Sequence, residues 1–407
     1  MRPGARLQAA IEVLDAWHAS GGGLDHALLR WGRARRFAGS GDRRAVGDIA
    51  YDVARRARSL QWLAGGGDPG GDLARFDPRR AVLARTRLVD PAALADLGAP
   101  HAPAPLSTEE RRALDALDPE RRAARLAGAP RGVRLDLPDW LLDRLGAVPE
   151  TALDALGERA PLDLRANRSK ASREEAARRL AGEGVTTVSA PLAPDALRVV
   201  DGARRVAASA AYTEGLVEIQ DAASQATALL AAPAAGGAVL DYCAGGGGKI
   251  LALAAAVGGR GRFVAHDAAP GRMADLPARA ARAGVSLEIA RPGDLEGAAR
   301  FDLVFVDAPC SGSGTWRREP DARWRLTPER LDALTALQDR VLSEAAGYLR
   351  PGGTLAYATC SLLAEEGEAR VDAFLERQGG FVEDARRRFL PGRERGDGFF
   401  AARLSRS

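Results

Sequence analysis

Apolar residues recur at helical spacing along the first ~125 residues of the chain. One such stripe runs through residues 7–14 and another through residues 49–60. Glycine-rich stretches at 21–23 and 65–71 interrupt the pattern, because glycine weakens helices and favours turns. The spacing therefore predicts an all-helical domain over residues 1–128.

The pattern changes near residue 130, where short apolar runs begin to alternate with polar ones. Residues 161–167 and 185–188 have the composition of strands. Between them, Ser172 and Glu175 have the spacing of a capping box at the start of a helix. We predict a small α/β subdomain over residues 129–214.

Strand-like runs alternate with helical stretches from residue 215 onwards. The predicted strands are 238–240, 262–266, 286–290, 301–306 and 354–358. A long helix is predicted after Thr327 and Pro328, and the Arg-Pro-Gly-Gly sequence at 350–353 is predicted to end it. This alternation predicts a doubly wound, mostly parallel sheet over residues 215–407, with residues 398–404 adding a late edge strand.

Composition places the chain among soluble globular proteins. Its 407 residues are 46% hydrophobic and 28% charged, which is typical of a protein with two or three domains. Because no apolar run reaches about 18 residues and no apolar core follows the N-terminus, we predict neither a membrane-spanning helix nor a signal peptide. Three cysteines form no disulfide framework and favour a reducing, cytoplasmic location.

The net charge of +4 comes almost entirely from arginine, since lysine occurs only at Lys170 and Lys249. Arginine suits the recognition of phosphates and base planes. A GC-rich coding bias explains the same preference. The charge is therefore compatible with a nucleic-acid partner without establishing one.

Two of the three cysteines follow predicted strands. Cys310 comes shortly after the strand at 301–306, and Cys360 shortly after the strand at 354–358. Because ligands bind outside the carboxyl ends of strands in open α/β sheets, both thiols would face one crevice. A thiolate is a strong nucleophile, so this pattern indicates covalent catalysis, although buried cysteine is more often inert. Cys243 lies among small residues and fits the inert interpretation.

A glycine-rich loop, residues 241–249, follows the first predicted strand of the C-terminal region. Glycines there let the backbone approach a ligand, and the next helix favours negative charge at its start. Asp267 ends the next strand, where an acidic residue can bind ribose hydroxyls, and Asp294 follows the third strand, where an adenine edge would lie. Turn formation by these aspartates is the alternative. Lys249 is placed to contact a phosphate or a reacting group.

Several motifs resemble those of the RNA cytosine-5 methyltransferases. Asp307-Ala-Pro-Cys310 is similar to the fourth motif of that family, and Ala358-Thr-Cys360-Ser to the sixth. Further matches lie at Gly215, Gln220-Asp221, Ser224-Gln225 and Asp397-Gly-Phe-Phe400. The resemblance extends from about residue 130 to residue 407. The N-terminal helical region, with Asp42-Arg43, resembles the NusB-like domain of the RsmB branch, which modifies small-subunit ribosomal RNA.

This resemblance implies a fold, a cofactor and residue roles. The fold would be a Rossmann-like class I methyltransferase domain, preceded by a small α/β RNA-binding subdomain and an all-helical NusB-like RNA-binding domain. Cys360 would attack carbon 6 of a cytosine, and Cys310 would assist elimination. Asp307 would hold the base, and Lys249 would contact the target nucleotide. S-adenosylmethionine would lie along Cys243, Ala244, Gly245, Gly246, Gly247, Gly248, Lys249, Asp267, Arg272, Asp294 and Asp307.

Two places depart from the family pattern. Where the family has Ala-Pro and Thr in the cofactor loop, this chain has Gly245-Gly246 and Ile250. The loss of proline frees a backbone φ angle, so we expect a more flexible loop and weaker cofactor binding. The Glu-Asn pair of the sixth motif is Glu366-Gly367 here, which puts a contact at the start of the next helix in doubt.

Arginines interleaved with tryptophans suggest where RNA binds. The predicted RNA-binding residues are Arg165, Asn167, Trp316, Arg317, Arg318, Arg323 and Trp324. An exposed basic loop with a buried tryptophan is the alternative. Because the target base must leave its stack to reach the thiols, we expect a single-stranded or looped RNA site.

The leading hypothesis is a monomeric RNA cytosine-5 methyltransferase that acts on small-subunit ribosomal RNA, without a metal and without a membrane partner. The same chemistry on transfer RNA or DNA stays open. In the DNA enzymes the nucleophile is the Pro-Cys thiol, here Cys310, which would leave Cys360 unexplained. A catalytically silent RNA-binding or ribosome-assembly factor is an alternative of another class, which the intact Cys310, Cys360, Asp307 and Lys249 disfavour.

Overall fold

Helices dominate the N-terminal part of the computed structural model, which describes residues 1–118, 122–295, 300–392 and 396–407. The helices are Pro3–Ser20 (α1), Leu24–Ala34 (α2), Ser40–Arg55 (α3), Ala57–Leu63 (α4), Pro78–Val89 (α5), Thr108–Asp115 (α6), Arg122–Ala127 (α7), Arg131–Leu135 (α8), Asp139–Arg144 (α9), Glu150–Asp154 (α10), Arg173–Gly182 (α11), Ala210–Thr213 (α12), Ala222–Leu230 (α13), Gly248–Ala256 (α14), Leu276–Ala283 (α15), Ala322–Arg325 (α16), Pro328–Ala346 (α17) and Glu368–Arg377 (α18). The strands are Asp163–Ala166 (β1), Thr186–Ser189 (β2), Ala196–Asp201 (β3), Val217–Ile219 (β4), Ala238–Asp241 (β5), Arg262–His266 (β6), Glu288–Ala290 (β7), Phe301–Asp307 (β8), Leu349–Thr359 (β9), Phe381–Phe389 (β10) and Phe399–Arg406 (β11).

The chain divides into two compact units. The helical unit comprises Met1–Glu158 and Trp316–Leu326, and the α/β unit comprises Arg159–Thr315 and Thr327–Ser407. The predicted boundary at residue 128 differs from this division, because α8 packs against α4 and the backbone N–H and hydroxyl of Ser59 donate to Asp136 just after α8. Residues 129–158 therefore belong to the same compact unit as the helices before them.

The α/β unit begins with a small antiparallel sheet in the order β2-β3-β1-β4. Ser172 and Glu175 form the predicted capping box at the start of α11, which covers this sheet through Ala176 and Leu180. The fourth strand, β4, lies beyond the predicted boundary at residue 214. This region combines helices with a small sheet that extends to residue 219, and the predicted subdomain bounds stay a prediction.

The large sheet has the order β10-β11-β9-β8-β5-β6-β7, in which β5 to β9 are parallel and β10 and β11 antiparallel. Along β8, Leu303 and Phe305 pack into one apolar core, and Val304 and Val306 pack into the other. Apolar residues therefore cover both faces of the sheet, which confirms the doubly wound α/β class. The carboxyl ends of β5, β8 and β9 lie side by side at its centre.

Two details differ from the sequence-based expectations. β11 lies between β9 and β10, so residues 398–404 do not form the sheet edge. The edge is β10, whose charged and largely exposed sequence gives no apolar signal. Helix α17 ends at Ala346, and the Arg-Pro-Gly-Gly sequence at 350–353 belongs to the beginning of β9. Among the described residues, no helix is both long and apolar enough to cross a membrane.

Candidate active site

The thiols of Cys310 and Cys360 lie next to each other, because their loops leave adjacent parallel strands. Asp307, the last residue of β8, is in register with Ala358 of β9, and the backbone N–H of Ala308 donates to the carbonyl of Ala358 over 2.9 Å. Three residues after Asp307 and two after Ala358, the two Sγ atoms come within 3.4 Å. The expected juxtaposition of the two thiols is confirmed.

Two thiols this close cannot readily hold two negative charges. The hydrogen bond to Cys360, burial and the charge of Cys360 together raise the pKa of Cys310 well above its usual range. Glu366 adds to this effect. Ionisation of Cys310 is therefore disfavoured in this arrangement.

Lys249 supplies a positive charge that interacts with the thiol pair. It lies in the first turn of α14, almost fully buried, with Nζ 2.5 Å from the Asp307 carboxylate and 5.1 Å from the centre of the Phe399 ring. Burial would lower the pKa of Lys249, but the negative charges of Asp307 and Cys360 raise it above its usual value. The ammonium group thus stays charged in the site.

The glycine-rich loop bends tightly between β5 and α14. Gly245 and Gly247 have φ angles of +51° and +79°, and a Cβ atom at Gly247 would lie 2.1 Å from Leu276. Only glycine fits this position. The N–H of Gly245 donates to Asp267 over 3.0 Å, so the loop closes onto the carboxylate at the end of β6.

The residues around this loop fit a nucleoside cofactor. Asp267 also accepts hydrogen bonds from Arg272 and the N–H of Ala269, which fill three of its about four acceptor positions and leave one for a ribose hydroxyl. A neighbouring cavity of about 310 Å³ is lined by Tyr242, His266, Ala268, Pro292, Gly293, Leu295 and Tyr348. Tyr242 and His266 stack with ring centres 4.8 Å apart, which gives this cavity a flat aromatic wall.

Cys243 and Asp294 have local structural contacts. Burial raises the pKa of the Cys243 thiol, and the neighbouring Ala244 donates its N–H to His266 over 2.8 Å. Asp294 accepts the N–H of Arg291 over 2.8 Å, which closes its own turn after β7. These contacts match the packing and turn interpretations, and they leave the assignment of both residues to the cofactor a proposal.

Arg165 and Asn167 are buried inside the α/β unit rather than exposed to a ligand. Arg165 donates to Gln220 over 2.7 Å, and burial lowers its pKa to about 10. The Asn167 amide donates to the carbonyls of Gly215 and Ala283, at 3.1 and 2.8 Å. Both side chains brace the fold, in contrast to the expected RNA contact.

The segment Trp316–Leu326 packs into the helical unit, which also differs from the expected basic surface. Trp316 and Arg323 are fully buried, with the guanidinium 5.6 Å from the indole ring. Arg323 donates to the carbonyls of Asp136 and Leu156, and the Trp324 indole donates to Ala54 over 2.8 Å. Arg317 is also buried, so of the five predicted residues only Arg318 is strongly exposed.

Sequence reasoning assigned no role to two buried carboxyl groups of the site. Burial and the charge of Asp307 raise the pKa of Asp241, at the end of β5, to about 7. Glu366 is fully buried and accepts hydrogen bonds from both cysteine loops. Their positions beside recognised motifs are the only sequence signal, since burial depends on the fold.

Comparison with known proteins gives consistent matches. Residues 228–405 match the family described as 16S rRNA methyltransferase RsmB/F, and residues 137–206 match the RsmF/B-like ferredoxin-like domain. The ribosomal RNA small subunit methyltransferase B of Klebsiella pneumoniae is 36% identical over 283 residues, or 66% of this chain and 65% of that protein. The protein of the same name from an Enterobacter species is 35% identical over 66% of each chain. The chain thus spans just under two thirds of these relatives' length.

One solved structure resembles the whole chain. The crystal structure of PH0851 matches with a TM-score of 0.71, covers 99% of both chains and is 23% identical in sequence. This likeness shows that the two proteins share a fold.

Proposed function

This chain belongs, through residues 228–405, to the RsmB/F family of methyltransferases, whose methyl donor is S-adenosylmethionine, and we propose that it methylates carbon 5 of a cytosine in small-subunit ribosomal RNA. The observation that carries this proposal is the pair of thiols, 3.4 Å apart, beside the Lys249–Asp307 ion pair. Methyl transfer to nitrogen or oxygen needs no thiol. A weakly nucleophilic ring carbon does, because a covalent adduct must first make it electron-rich.

Cys360 would begin the reaction. Its thiolate, favoured by the Lys249 ammonium, forms a bond to carbon 6 of the cytosine, and the electrons of the ring double bond become available at carbon 5. S-adenosylmethionine, when bound, supplies the electrophilic methyl group that carbon 5 attacks. Removal of the carbon-5 proton then allows the bond between sulfur and carbon 6 to break, which restores the ring and the thiolate.

The adduct itself would prepare Cys310 to take that proton. The largest contributions that raise the pKa of Cys310 include its hydrogen bond to Cys360 and the charge of Cys360. A thioether at Cys360 has no proton and no charge, so both influences disappear when the adduct forms. The pKa of Cys310 then falls, and its thiol becomes able to ionise and act as a base at the right stage.

The cofactor would lie along residues 243–249. Asp267 would bind the ribose, and the aromatic cavity beside Tyr242 and His266 would hold the adenine, while Arg272 holds the Asp267 carboxylate. Asp307 would accept a hydrogen bond from the amino group of the target base. Its ion pair with Lys249 keeps it fixed in that position.

Exposed arginines suggest that the helical unit, which we propose to be NusB-like, contributes the main RNA contact. Along α2 and the turn after it, Arg30, Arg33, Arg35 and Arg36 are exposed, and Phe37 next to them is 74% exposed. Arginines with an accessible aromatic ring are typical of single-stranded RNA surfaces. This surface replaces the buried Trp316 and Arg323 as the proposed site of RNA contact.

Trapping of the covalent adduct tests the proposed function. Cys310→Ala, incubated with cofactor and RNA, is expected to accumulate a protein–RNA complex that survives denaturation, because attack proceeds and elimination stalls. Cys360→Ala is expected to form none. Cys243→Ala serves as the control and should turn over without accumulating an adduct.

Methylation assays with two classes of RNA identify the substrate. Small-subunit ribosomal RNA and transfer RNA are compared as methyl acceptors, with bisulfite sequencing of the products. Adducts from Cys360→Ala in place of Cys310→Ala would reverse the assigned roles. No adduct from either variant, with no methyl transfer by the wild type to either RNA, would favour a silent assembly factor.

Restoring proline in the cofactor loop should tighten cofactor binding. Gly246 has no positive φ, and the nearest atom to a Cβ there belongs to the Arg279 guanidinium, at 2.8 Å. Gly246→Pro is therefore expected to lower the Kd for S-adenosylmethionine about 2- to 5-fold, through about 0.4–1 kcal/mol of lost loop entropy. Titration calorimetry measures the effect, with Gly246→Ala as the control. Unchanged or weaker binding by a stably folded Gly246→Pro would contradict this account of the loop.

A further inference from the structure

Glu366 connects the two cysteine loops through one buried carboxylate. It lies in a short helical turn after Cys360 and has no exposed surface. One oxygen accepts the N–H of Ser311 at 2.8 Å and the amide of Gln338 at 3.0 Å. The other accepts the hydroxyl of Ser361 at 2.6 Å and the hydroxyl of Ser311. We call Glu366, Ser311, Ser361 and Gln338 the carboxylate clamp.

The clamp holds the residues that directly follow each thiol. Ser311 follows Cys310 and Ser361 follows Cys360, so one carboxylate joins both loops. Gln338 also donates to the carbonyl of Pro309 over 2.9 Å, which fixes the fourth motif from its other side. The distance between the two Sγ atoms therefore depends on a single acidic side chain rather than on the strands alone.

The clamp also carries a negative charge. All four of its described hydrogen bonds are donated to the carboxylate. The charge faces Cys310, whereas the Lys249 ammonium interacts with Cys360. The charge of Glu366 therefore acts on one thiol of the pair, and the charge of Lys249 interacts with the other.

We propose that Glu366 is the positioning residue of the thiol pair: its carboxylate joins the two cysteine loops and keeps both sulfur atoms in register, and its charge disfavours a second negative charge at Cys310. This inference rests on the proposed function for its catalytic meaning. The effect of the Glu366 charge on Cys310 can be tested on the protein alone, without RNA or cofactor. Because Glu366 is fully buried, it would act through the two cysteine loops that it contacts.

Several other ionisable groups face Cys310 or the clamp. Cys360 and Tyr357 come from β9 and the loop after it, and the Tyr357 hydroxyl donates to the backbone carbonyl of Glu366 over 2.9 Å. Asp307 ends β8, and its partner Lys249 comes from α14. Asp339 of α17 and Arg370 of α18 pair with each other over 2.7 Å. None of these groups changes when Glu366 is replaced by glutamine.

The pH dependence of Cys310 alkylation tests the effect of the Glu366 charge without RNA or cofactor. The protein is treated with iodoacetamide over a pH series, and the modification of Cys310 is read by peptide mass spectrometry. Because a nearby carboxylate opposes ionisation, Glu366→Gln should shift the Cys310 midpoint down by about one pH unit. Glu365→Gln, the same change one residue earlier, should leave the midpoint unchanged. An equal midpoint in both variants overturns the proposal.

The rate of RNA methylation tests whether Glu366 positions the two thiols. Glu366→Gln is expected to lower kcat for RNA methylation about 10²-fold with an unchanged KM for cofactor, since misplacement by about 1 Å can cost that much. Glu366→Asp keeps the charge but shortens the reach, so it should retain the wild-type alkylation midpoint and still lose turnover. Wild-type turnover in either variant would refute the positional role.

Two further measurements distinguish a failure of this proposal from a failure of the proposed function or of folding. If the wild type methylates no RNA, the alkylation result still decides whether Glu366 controls Cys310, so the two proposals fail independently. If Glu366→Gln does not fold, Gln338→Ala removes one clamp contact and leaves the charge. It should then lower turnover with an unchanged alkylation midpoint, and full turnover in Gln338→Ala would count against the clamp.

Discussion

Replacing Lys249 with methionine is expected to reduce methyl transfer about 10²- to 10³-fold, the usual consequence of removing one preorganised charge from an active site. Without the ammonium group, the Cys360 thiolate loses its nearby positive charge, and Asp307 loses the partner that orients it. Methylation of RNA under single-turnover conditions measures the chemical step directly. Lys170→Met is the matched control, because Lys170 is the only other lysine of the chain and is exposed.

The same substitution should also lower stability. Methionine fills the buried space of Lys249 but leaves the Asp307 carboxylate, which is only 32% exposed, without its partner. We expect a loss of about 1–3 kcal/mol in the free energy of unfolding. The double variant Lys249→Met/Asp307→Asn should regain most of this stability while it stays inactive. Activity within tenfold of wild type in Lys249→Met would show that this ammonium is not needed for the attack.

Replacing Asp241 with asparagine should make the protein more stable at pH 8 and remove a pH dependence. The native carboxyl has a pKa of about 7, because of burial and the charge of Asp307, whereas an unfolded aspartate has a pKa of about 3.9. Between these values the native protein holds more protons than the unfolded chain, so wild-type stability falls as the pH rises. The full difference corresponds to about 4 kcal/mol.

Denaturant titrations at pH 4, 6 and 8 measure this effect. Asparagine cannot ionise, so the stability advantage of Asp241→Asn should grow from pH 4 to about 7 and then level off. Asp332→Asn, at an exposed position of α17, should show no such trend. A constant difference between Asp241→Asn and wild type at all three pH values would mean that Asp241 ionises normally in the folded protein.

Local patterns in the sequence predicted the strands and the thiol pair because each depends on short-range chemistry. The parallel strands β8 and β9 are continuous apolar runs, and their register brings the residues that follow them to one edge. The capping box at Ser172 and Glu175 likewise involves residues three apart. For these features the neighbouring residues supply most of the information.

Long-range packing determines the features that local sequence patterns did not predict. Trp316 and Arg323 have the composition of an RNA-binding loop, but their partners Asp136 and Leu156 lie far away in the chain. The edge strand β10 is largely exposed and charged, so its pairing with β11 leaves no apolar pattern. Glutamate is usually exposed, so the sequence gives no sign that Glu366 is buried in the fold.

The segment Trp316–Leu326 makes the helical unit slow to complete during synthesis. The ribosome must translate most of the α/β unit after Glu158 before this segment exists, which takes roughly 8–34 s at bacterial elongation rates of 5–20 residues per second. During that interval the nascent helical unit lacks Trp316 and Arg323. The carbonyls of Asp136 and Leu156 therefore lack the hydrogen bonds that Arg323 later donates. The N-terminal part of this chain, although it is made first, therefore completes its packing only after Leu326 has been translated.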